Sequence, residues 1–460
     1  MTGTQMKWPL PAGYQALETT VSLCPACRDR VEAVLAERDG AVHVVKQCPV
    51  HGLQVELREE NAAFFKARGQ YTKPGTRTET QTETRRGCPF DCGLCPDHDQ
   101  HSCIGLIEVN GQCELACPDC YTGRQPVPDL TLDEAGRMMD FLQAAEEGRA
   151  EILQLSGGEP ALHPAIVEIL ALAKSKRFKY VLLNSNGLRM AEDDGFVARL
   201  SAFLPQFEVY LQYDGREAEG HTALRGRDLR AVKEQAIRKL TAAGIPVTLV
   251  ATIRRGVNDH EIGSILRHAM SIPGVRGVNY QPLAYYGWGD VCDQHDRITL
   301  TGVLERLERQ TAGEYRLSDF VPLPCNVERV ALTYCYRDGE RFVPITRRFD
   351  VREHLPMITN TLAFDADDYL AKVVSGSALC DCMTRFLSVL RPFIPSGYER
   401  LSDSEKAGYF NRNLFRISVS SFVDPYNFDL KSMQRECVHV ITRDLRRIPF
   451  SAYNMFHRTP

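Results

Sequence analysis

The sequence predicts an α/β protein: a partial (β/α)6 TIM-type barrel with a small N-terminal metal-binding domain and a C-terminal extension that contains cysteines. Three observations carry this. Between Ile104 and Tyr285, six short apolar runs alternate with amphipathic helical stretches, the pattern of βα units around a parallel sheet. The chain has 460 residues, too many for one ordinary domain. Most of its 16 cysteines fall in short-spaced groups, which points to metal or cluster ligation.

The bulk composition narrows the class further. With 43% apolar and 25% charged residues the chain reads as globular. A formal charge of -4 gives no electrostatic reason to expect a nucleic acid partner. No apolar run is long enough to span a bilayer, and "MTGTQMKWPLPAG" lacks a secretion signature. A cytoplasmic location is expected, where free thiols persist and disulfides are rare.

The first domain is placed at residues 1–70. It carries Cys24, Cys27, Cys48 and His51 in a C-x2-C and C-x2-H arrangement, beside the strand-like run "AVHVVKQC". Four ligands make a closed site, structural or electron-transferring, and thiolates with one imidazole suit either zinc or a single iron. "GQYTKPGTRTETQTETR", Gly69 to Arg85, is polar and reads as a linker or exposed connection. The segment 71–103 then holds Cys88, Cys92 and Cys95 at C-x3-C-x2-C spacing, with Cys103 near enough in sequence to be a fourth ligand. An auxiliary 4Fe-4S cluster is expected there.

The barrel is placed at residues 104–290. Its strands are "IGLIEV", "EILQLS", "KYVLLNS", "FEVYLQ", "PVTLVATI" and "VRGVNYQPLA". The helix "LDEAGRMMDFLQAAEE" has Asp129 or Thr131 as its cap. The ends "SGGEP", "NSNG" and "QYDG" fall on the C-terminal side of the strands, where such barrels carry their chemistry. After the first strand comes "CELACPDC", with Cys113, Cys117 and Cys120 at C-x3-C-x2-C spacing. Three thiolates on a four-iron cluster leave one iron open to a small molecule, as catalytic zinc keeps an open position. Beyond Tyr285 the periodicity weakens, and the region 291–460 is read as a C-terminal auxiliary-cluster or substrate domain. "TGVLERLERQ" and "ADDYLAKVVS" are its helical stretches.

The three-cysteine loop after the first strand, with SGGEP after the second, resembles the radical S-adenosylmethionine (SAM) superfamily. The resemblance implies that Cys113, Cys117 and Cys120 hold a 4Fe-4S cluster whose open iron binds SAM. It also implies a 5'-deoxyadenosyl radical that takes hydrogen from substrate. Gly157, Gly158 and Glu159 are then expected beside the SAM ammonium, and Asn184, Asn186, Gln212 and Asp214 beside its ribose. Arg225 or Arg254 would pair with its carboxylate. Turn chemistry alone also accounts for the asparagines and Asp214, and a solvated surface position for either arginine. One departure stands in the loop: the residue before its last cysteine, often aromatic in the superfamily, is Asp119, and the aromatic follows at Tyr121.

Longer segments narrow the resemblance. "CPFDCGLCPDHDQHSC", "LRGRDL", "GVNDHEIG", "GVNYQPLAYYG", "PLPCN", "NFDLKSMQRECVHV" and "RRIPFSAYN" resemble the subfamily of tetraether lipid synthases and 7,8-dihydro-6-hydroxymethylpterin dimethyltransferases. That subfamily implies an N-terminal mononuclear metal and one or two auxiliary 4Fe-4S clusters, with Cys325, Cys380, Cys382 and Cys437 in the auxiliary-cluster region. Here Ser451 stands where members often have cysteine, and Cys437 stands where many carry two adjacent cysteines. Cys292 and Cys335 read as buried small side chains. The implied activity is hydrogen abstraction leading to an sp3 carbon–carbon bond between lipid chains. The alternative is a radical methyltransferase acting on a pterin or other small molecule. A non-catalytic iron–sulfur electron carrier would leave the open loop and SGGEP unexplained. Implied partners are an electron donor of flavodoxin or ferredoxin type and a small-molecule or lipid substrate. Peripheral membrane contact rests on the lipid branch of the resemblance alone.

Overall fold

The computed structural model describes residues 8–122, 127–286, 296–348, 350–355 and 412–458, with a few positions between 397 and 409. Cys292, Cys380 and Cys382, and the stretch "ADDYLAKVVS", lie outside the described residues.

The chain opens with an antiparallel meander: β1 (Gln15–Leu23), β2 (Arg30–Arg38), β3 (Ala41–Cys48) and β4 (Gly52–Glu59), in that order. β2 and β3 are rich in Val and Ala. Ala33, Leu35, Val42 and Val44 pack under the short helix α1 (Ala62–Ala67), together with Ala62 and Phe65. Two buried cations key this sheet to the C-terminal region. The Lys46 ammonium donates to the carbonyls of Leu23, Pro425 and Tyr426 at 2.9, 3.0 and 2.8 Å. Arg58 donates to Asp429 and Ser432 at 3.1 Å each. Burial without such partners would be costly. The segment that reads as a linker carries no regular element over 73–81 and is tied down through its backbone. Arg447 donates to the Glu79 carbonyl at 2.7 Å and the Gln81 amide to that of Leu94 at 3.0 Å.

The barrel strands are β5 (Ile104–Glu108), β6 (Ile152–Ser156), β7 (Tyr180–Ser185), β8 (Phe207–Gln212), β9 (Val247–Ile253) and β10 (Val275–Pro282). They lie side by side in chain order and all run parallel. Helices α2 (Leu132–Ala145), α3 (Ile166–Ser175), α4 (Leu188–Glu192), α5 (Asp194–Ser201), α6 (Ala218–Arg225), α7 (Arg230–Ala242) and α8 (Ile262–Ser271) connect them. Thr131, not Asp129, caps α2: its hydroxyl accepts from the Glu134 amide while the Glu134 carboxylate reaches back. Strand residues such as Leu153, Leu183, Val209 and Leu249 are completely buried against the helices.

The C-terminal region extends this sheet at both edges. After α9 (Leu300–Gln310) come β11 (Val321–Pro322), β12 (Val330–Asp338) and β13 (Arg341–Pro344), then β14 (Leu414–Ser420), β15 (Val438–Ile441) and β16 (Arg447–Pro449). β14 pairs parallel with β10, and β15 pairs parallel with β5. Six βα strands therefore gain a parallel neighbour on each side, and antiparallel strands follow outward. β15 has four residues and β16 three, too short for a periodic signal. Among the described residues, no helix is long and apolar enough to cross a membrane.

Candidate active site

The C-terminal ends of β5, β6 and β7 meet at the three-cysteine loop. The Gly158 amide donates to the Asn110 carbonyl at 2.9 Å, and the Glu159 amide to that of Gln112 at 2.6 Å. Asn110 returns a side-chain bond to the Glu159 carbonyl at 2.9 Å. The glycines are needed for this approach. A Cβ at Gly157, where φ is +139°, would lie 2.4 Å from the Asn110 carbonyl oxygen, and one at Gly158 would lie 2.2 Å from that of Gln112. The SGGEP turn thus clasps the strand end that leads into Cys113.

The Glu159 carboxylate has partners within the chain. Its carboxylate is buried and accepts from the Ala161 amide (3.0 Å), the Ser185 hydroxyl (2.8 Å) and the Asn186 amide (2.7 Å). Burial raises its carboxyl to about 7 against those three bonds. It fastens the β6 turn to the NSNG turn of β7, a use that residue type and position alone do not distinguish from ligand binding. Asn186 also places its side-chain amide 4.0 Å from the Cys113 sulfur, and Asn184 reaches Ser156 at 3.4 Å. The carbonyl of Asn186 is held by Lys233, a fully buried lysine of α7, at 2.5 Å.

Asp214 and Arg225 turn to each other. Two hydrogen bonds of 2.7 Å join them, and Arg225 also donates to Thr252 at 2.9 Å. Burial alone would raise the Asp214 carboxyl; Arg225 outweighs it and holds the group below the usual range. These two buried charges neutralise one another. Arg225 also lies against the Cys117 thiol. Arg254 likewise sits between carboxylates of the chain, 3.9 Å from Asp119 and 3.6 Å from Asp296. Asp119, where an aromatic was expected, thus has a cation beside it. Tyr121 packs edge-on against Phe450. Gln212 is half-buried at the end of β8. Within the loop, Cys113 is exposed, Cys120 is half-buried and Cys117 is buried.

Nine of the other described cysteines fall into three sets. Cys24, Cys27, Cys48 and His51 bring their ligand atoms within 4.8 Å of one another. His51 Nδ1 lies 3.4 Å from the Cys24 sulfur and 3.5 Å from that of Cys48, and Cys27 lies 3.9 Å from Cys48. Cys88, Cys92 and Cys95 are all buried. Burial pushes the Cys92 thiol up, and Cys88, Cys95 and Glu436 add to the effect. Their loop is shaped by Asp91, which accepts from the amides of Arg85, Arg86 and Gly87 at 2.6–2.7 Å. Ser451 donates its hydroxyl to Glu436 at 2.9 Å, so the serine that departs from the subfamily pattern has a polar partner.

Cys103 lies in a different apolar cluster from Cys88 and Cys92. It joins Cys325 and Cys437, all three sulfurs within 4.8 Å of one another. The reason is the β5–β15 pairing: the Cys103 amide donates to the Cys437 carbonyl at 2.8 Å. Cys335 is buried in the main core. Asn110, Lys233 and Thr252 are site residues that sequence reasoning missed. Lys233 had a signal, since it shares the buried face of α7 with Ala236, Ile237 and Leu240.

Residues 82–269 match the model of the radical SAM superfamily, and residues 16–59 match that of the HMPTM N-terminal zinc ribbon domain. The chain is 30% identical to a 7,8-dihydro-6-hydroxymethylpterin dimethyltransferase of Methanocaldococcus jannaschii, across 95% of this chain and 94% of the relative. It is 32% identical to a PqqA peptide cyclase of Methylocella silvestris, over 41% of this chain and about half (49%) of that one. The crystal structure of Streptococcus suis SuiB bound to S-adenosylmethionine aligns over 46% of this chain and 47% of that one, with 14% identity and a TM-score of 0.40.

Proposed function

We propose that this chain, which belongs to the radical SAM superfamily and to the family of the 7,8-dihydro-6-hydroxymethylpterin dimethyltransferase, is a radical SAM enzyme that builds a carbon–carbon bond at an unactivated carbon. The observation that carries the reading is the clasp of the SGGEP turn on the strand end leading into Cys113. It sets three cysteines on one loop at the catalytic edge of the barrel, with no fourth cysteine in that loop.

The donor set fits a four-iron cluster with one open position: thiols on a short loop, an arginine against Cys117, and a rigid backbone on either side. When bound, the cluster and SAM supply an electron and a 5'-deoxyadenosyl radical able to take hydrogen from carbon. The chain's part is positioning. Glu159 and Lys233 fix the NSNG turn from both sides, through the Asn186 amide and carbonyl. The Asp214–Arg225 pair braces β8 and β9 behind Cys117. Gly157, Gly158, Glu159, Asn186, Gln212, Asp214 and Arg225 are the groups proposed to face SAM.

Cys88, Cys92 and Cys95 are proposed to hold an auxiliary 4Fe-4S cluster, and Cys24, Cys27, Cys48 and His51 a single zinc or iron. The functional division follows: metal domain, auxiliary segment, barrel and C-terminal region. Coupling of two lipid chains is the first reading of the product, from the tetraether branch of the resemblance. Methyl transfer to a pterin or other small molecule is the second, and the match along 95% of the chain to the dimethyltransferase favours it. The test has two stages. Reduced, reconstituted protein should cleave SAM to 5'-deoxyadenosine. Mass spectrometry of lipids and pterins from cells with and without the intact gene should then show which class loses its product. No SAM cleavage, with the barrel-loop cluster loaded, would overturn the enzyme reading.

A further inference from the structure

We propose, on the radical SAM reading above, that Asn279, Gln281, Ser418 and Ser420 recognise the substrate through hydrogen bonds. The substrate they select is a polar molecule bearing a carbonyl or similar acceptor, not an alkyl chain.

The barrel strands have two unlike faces. On one, Leu155, Leu183, Leu211, Leu249 and Tyr280 are fully buried in the core against the helices, and the Tyr280 hydroxyl donates to the Ile262 carbonyl of α8 at 2.7 Å. Side chains alternate along a strand, so Asn279 and Gln281 flank Tyr280 on the opposite, inner face. β14 follows the same rule. Phe415, Ile417 and Val419 lie in the core, which turns Arg416, Ser418 and Ser420 inward. An ordinary barrel fills its interior with branched apolar side chains. Here Gln212, Gln281, Arg416 and Ser420 stand on that face, polar and half-buried. Polar groups in an interior do not stabilise a fold by packing, so another demand selects them.

The strand register sets their height. Gln212 of β8 pairs with Val250 of β9, Val250 with Asn279 of β10, and Asn279 with Ser418 of β14. Asn279 and Ser418 are therefore level with Gln212, one of the groups proposed to face SAM. A molecule held by them lies at that height in the barrel, and the C-terminal region supplies half of the constellation through β14.

Asn279 is the best prepared of the four. It is only 7% exposed. The hydroxyls of Ser418 and Ser420 both donate to its Oδ1, at 3.1 Å each. Two hydroxyls on one oxygen fix the amide and turn its NH2 group away from β14 as a donor. Nearer the N-terminal end of β14, Arg416 donates to the Tyr210 hydroxyl at 2.5 Å and to Thr248 at 3.4 Å. Gly277 pairs with both Arg416 and Thr248 and permits this crossing: a Cβ there would lie 2.6 Å from the Arg416 carbonyl oxygen and 3.3 Å from its Cβ. The cation is thus engaged within the wall, and the four recognising groups are neutral donors and acceptors. An alkyl chain laid against them would cover the Asn279 NH2 and the Gln281 amide without replacing their hydrogen bonds to water, which costs the full desolvation of each. A carbonyl answers the Asn279 NH2, and the Gln281 amide offers a donor and an acceptor beside it.

The test uses the full chain with its cluster reconstituted. Cells lacking the gene are grown in deuterated medium, and their extract is divided into an aqueous and a lipid fraction. The reduced protein receives unlabelled SAM and one fraction at a time, and 5'-deoxyadenosine is read by mass spectrometry. Deuterium should enter it from the aqueous fraction and not from the lipid fraction. In Asn279→Leu, the deuterium carried per 5'-deoxyadenosine should fall about tenfold, and in Ser420→Ala, at a half-buried hydroxyl, about threefold. In a protein that cleaves SAM, deuterium drawn from the lipid fraction or from neither fraction would overturn the proposal. So would equal uptake by wild type and the folded variants. No 5'-deoxyadenosine under any condition would instead be a failure of the enzyme reading. Ultrafiltration then decides the recognition by itself: wild type should retain a molecule of the aqueous fraction that Asn279→Leu lets pass, and equal retention would overturn the proposal.

Discussion

Arg225 grips Asp214 through two hydrogen bonds of 2.7 Å, at a point where both side chains are buried. The pair joins the end of β8 to the last turn of α6, and Thr252 ties it to β9. Because Arg225 also lies against Cys117, the charge pair sets the back wall of the cysteine loop. Removing one partner of a buried pair costs about 3–5 kcal/mol, since it strands the other charge. Asp214→Asn should therefore lower the urea midpoint strongly. Arg225→Lys should do nearly the same, because an ammonium cannot replace the bidentate fork. The double variant Asp214→Asn/Arg225→Met should be less destabilised than the two single effects added together. Additive losses in the unfolding curves would mean that the pair is not coupled.

Gly158 gives a sharper local test. Gly158→Ala sets a methyl group 2.2 Å from the Gln112 carbonyl oxygen, so the turn must move away from the cysteine loop. The expected outcome is a loss of at least tenfold in SAM cleavage with the protein still folded. Gly136→Ala is the control. Its added carbon meets only Leu172, at 3.5 Å, within α2, where alanine is favoured over glycine by up to about 1 kcal/mol. That variant should keep its activity and gain stability. Equal activities in the two variants would mean that the clasp does not position the cysteine loop.

Lys233 makes a prediction about pH. Burial lowers its ammonium from 10.5 to about 8. Between those values the unfolded chain binds more protons at this site than the folded one, so this residue's contribution to stability rises with pH. It is complete above 10.5 and lost as pH falls through 8. Lys233→Met removes the titration. The unfolding free energy of wild type minus that of the variant should therefore climb from pH 8 to 10.5, by at most one proton's slope. A difference that stays flat over that window would show that Lys233 is not charged in the unfolded chain and neutral in the fold.

The N-terminal site predicts a separation of stability from chemistry. Cys24, Cys27, Cys48 and His51 fill four positions at the tip of the meander, and folding and metal binding are linked in such sites. Cys24→Ser should lose about one metal ion and unfold more readily. The variant that remains folded should cleave SAM at a rate near that of wild type. A fully stable variant unable to cleave SAM would assign the site to electron transfer instead.

What was legible in the sequence follows from locality. The strands β5 to β10 announce themselves because each is an apolar run of five to eight residues between helices. The cysteine groups at 24–51, 88–95 and 113–120 are legible because their spacing is local. Cys325 and Cys437 are 112 positions apart, and no spacing rule reports that β15 returns beside β5. The Asp214–Arg225 pairing is hidden from the sequence for a different reason. Residue type says that a carboxylate and a guanidinium will find partners, but not whether the partner is a ligand or another part of the chain.

The last prediction separates the Cys88, Cys92 and Cys95 group from the barrel loop. Cys88 and Cys92 are buried in one apolar cluster with Phe450, Tyr286 and Met455, on a loop that Asp91 shapes through three backbone amides. None of that support comes from Cys113, Cys117 or Cys120. Replacing those three with alanine should therefore abolish 5'-deoxyadenosine formation and remove about one cluster's worth of iron and sulfide. The broad iron–sulfur absorption band should remain, at reduced intensity. In the converse variant, with Cys88, Cys92 and Cys95 replaced, SAM cleavage should persist if the second cluster serves substrate or electron transfer rather than SAM itself. A folded, colourless protein after loss of the barrel-loop cysteines would mean that this loop holds the only iron–sulfur cluster. The buried thiols at 88–95 would then be explained by packing alone.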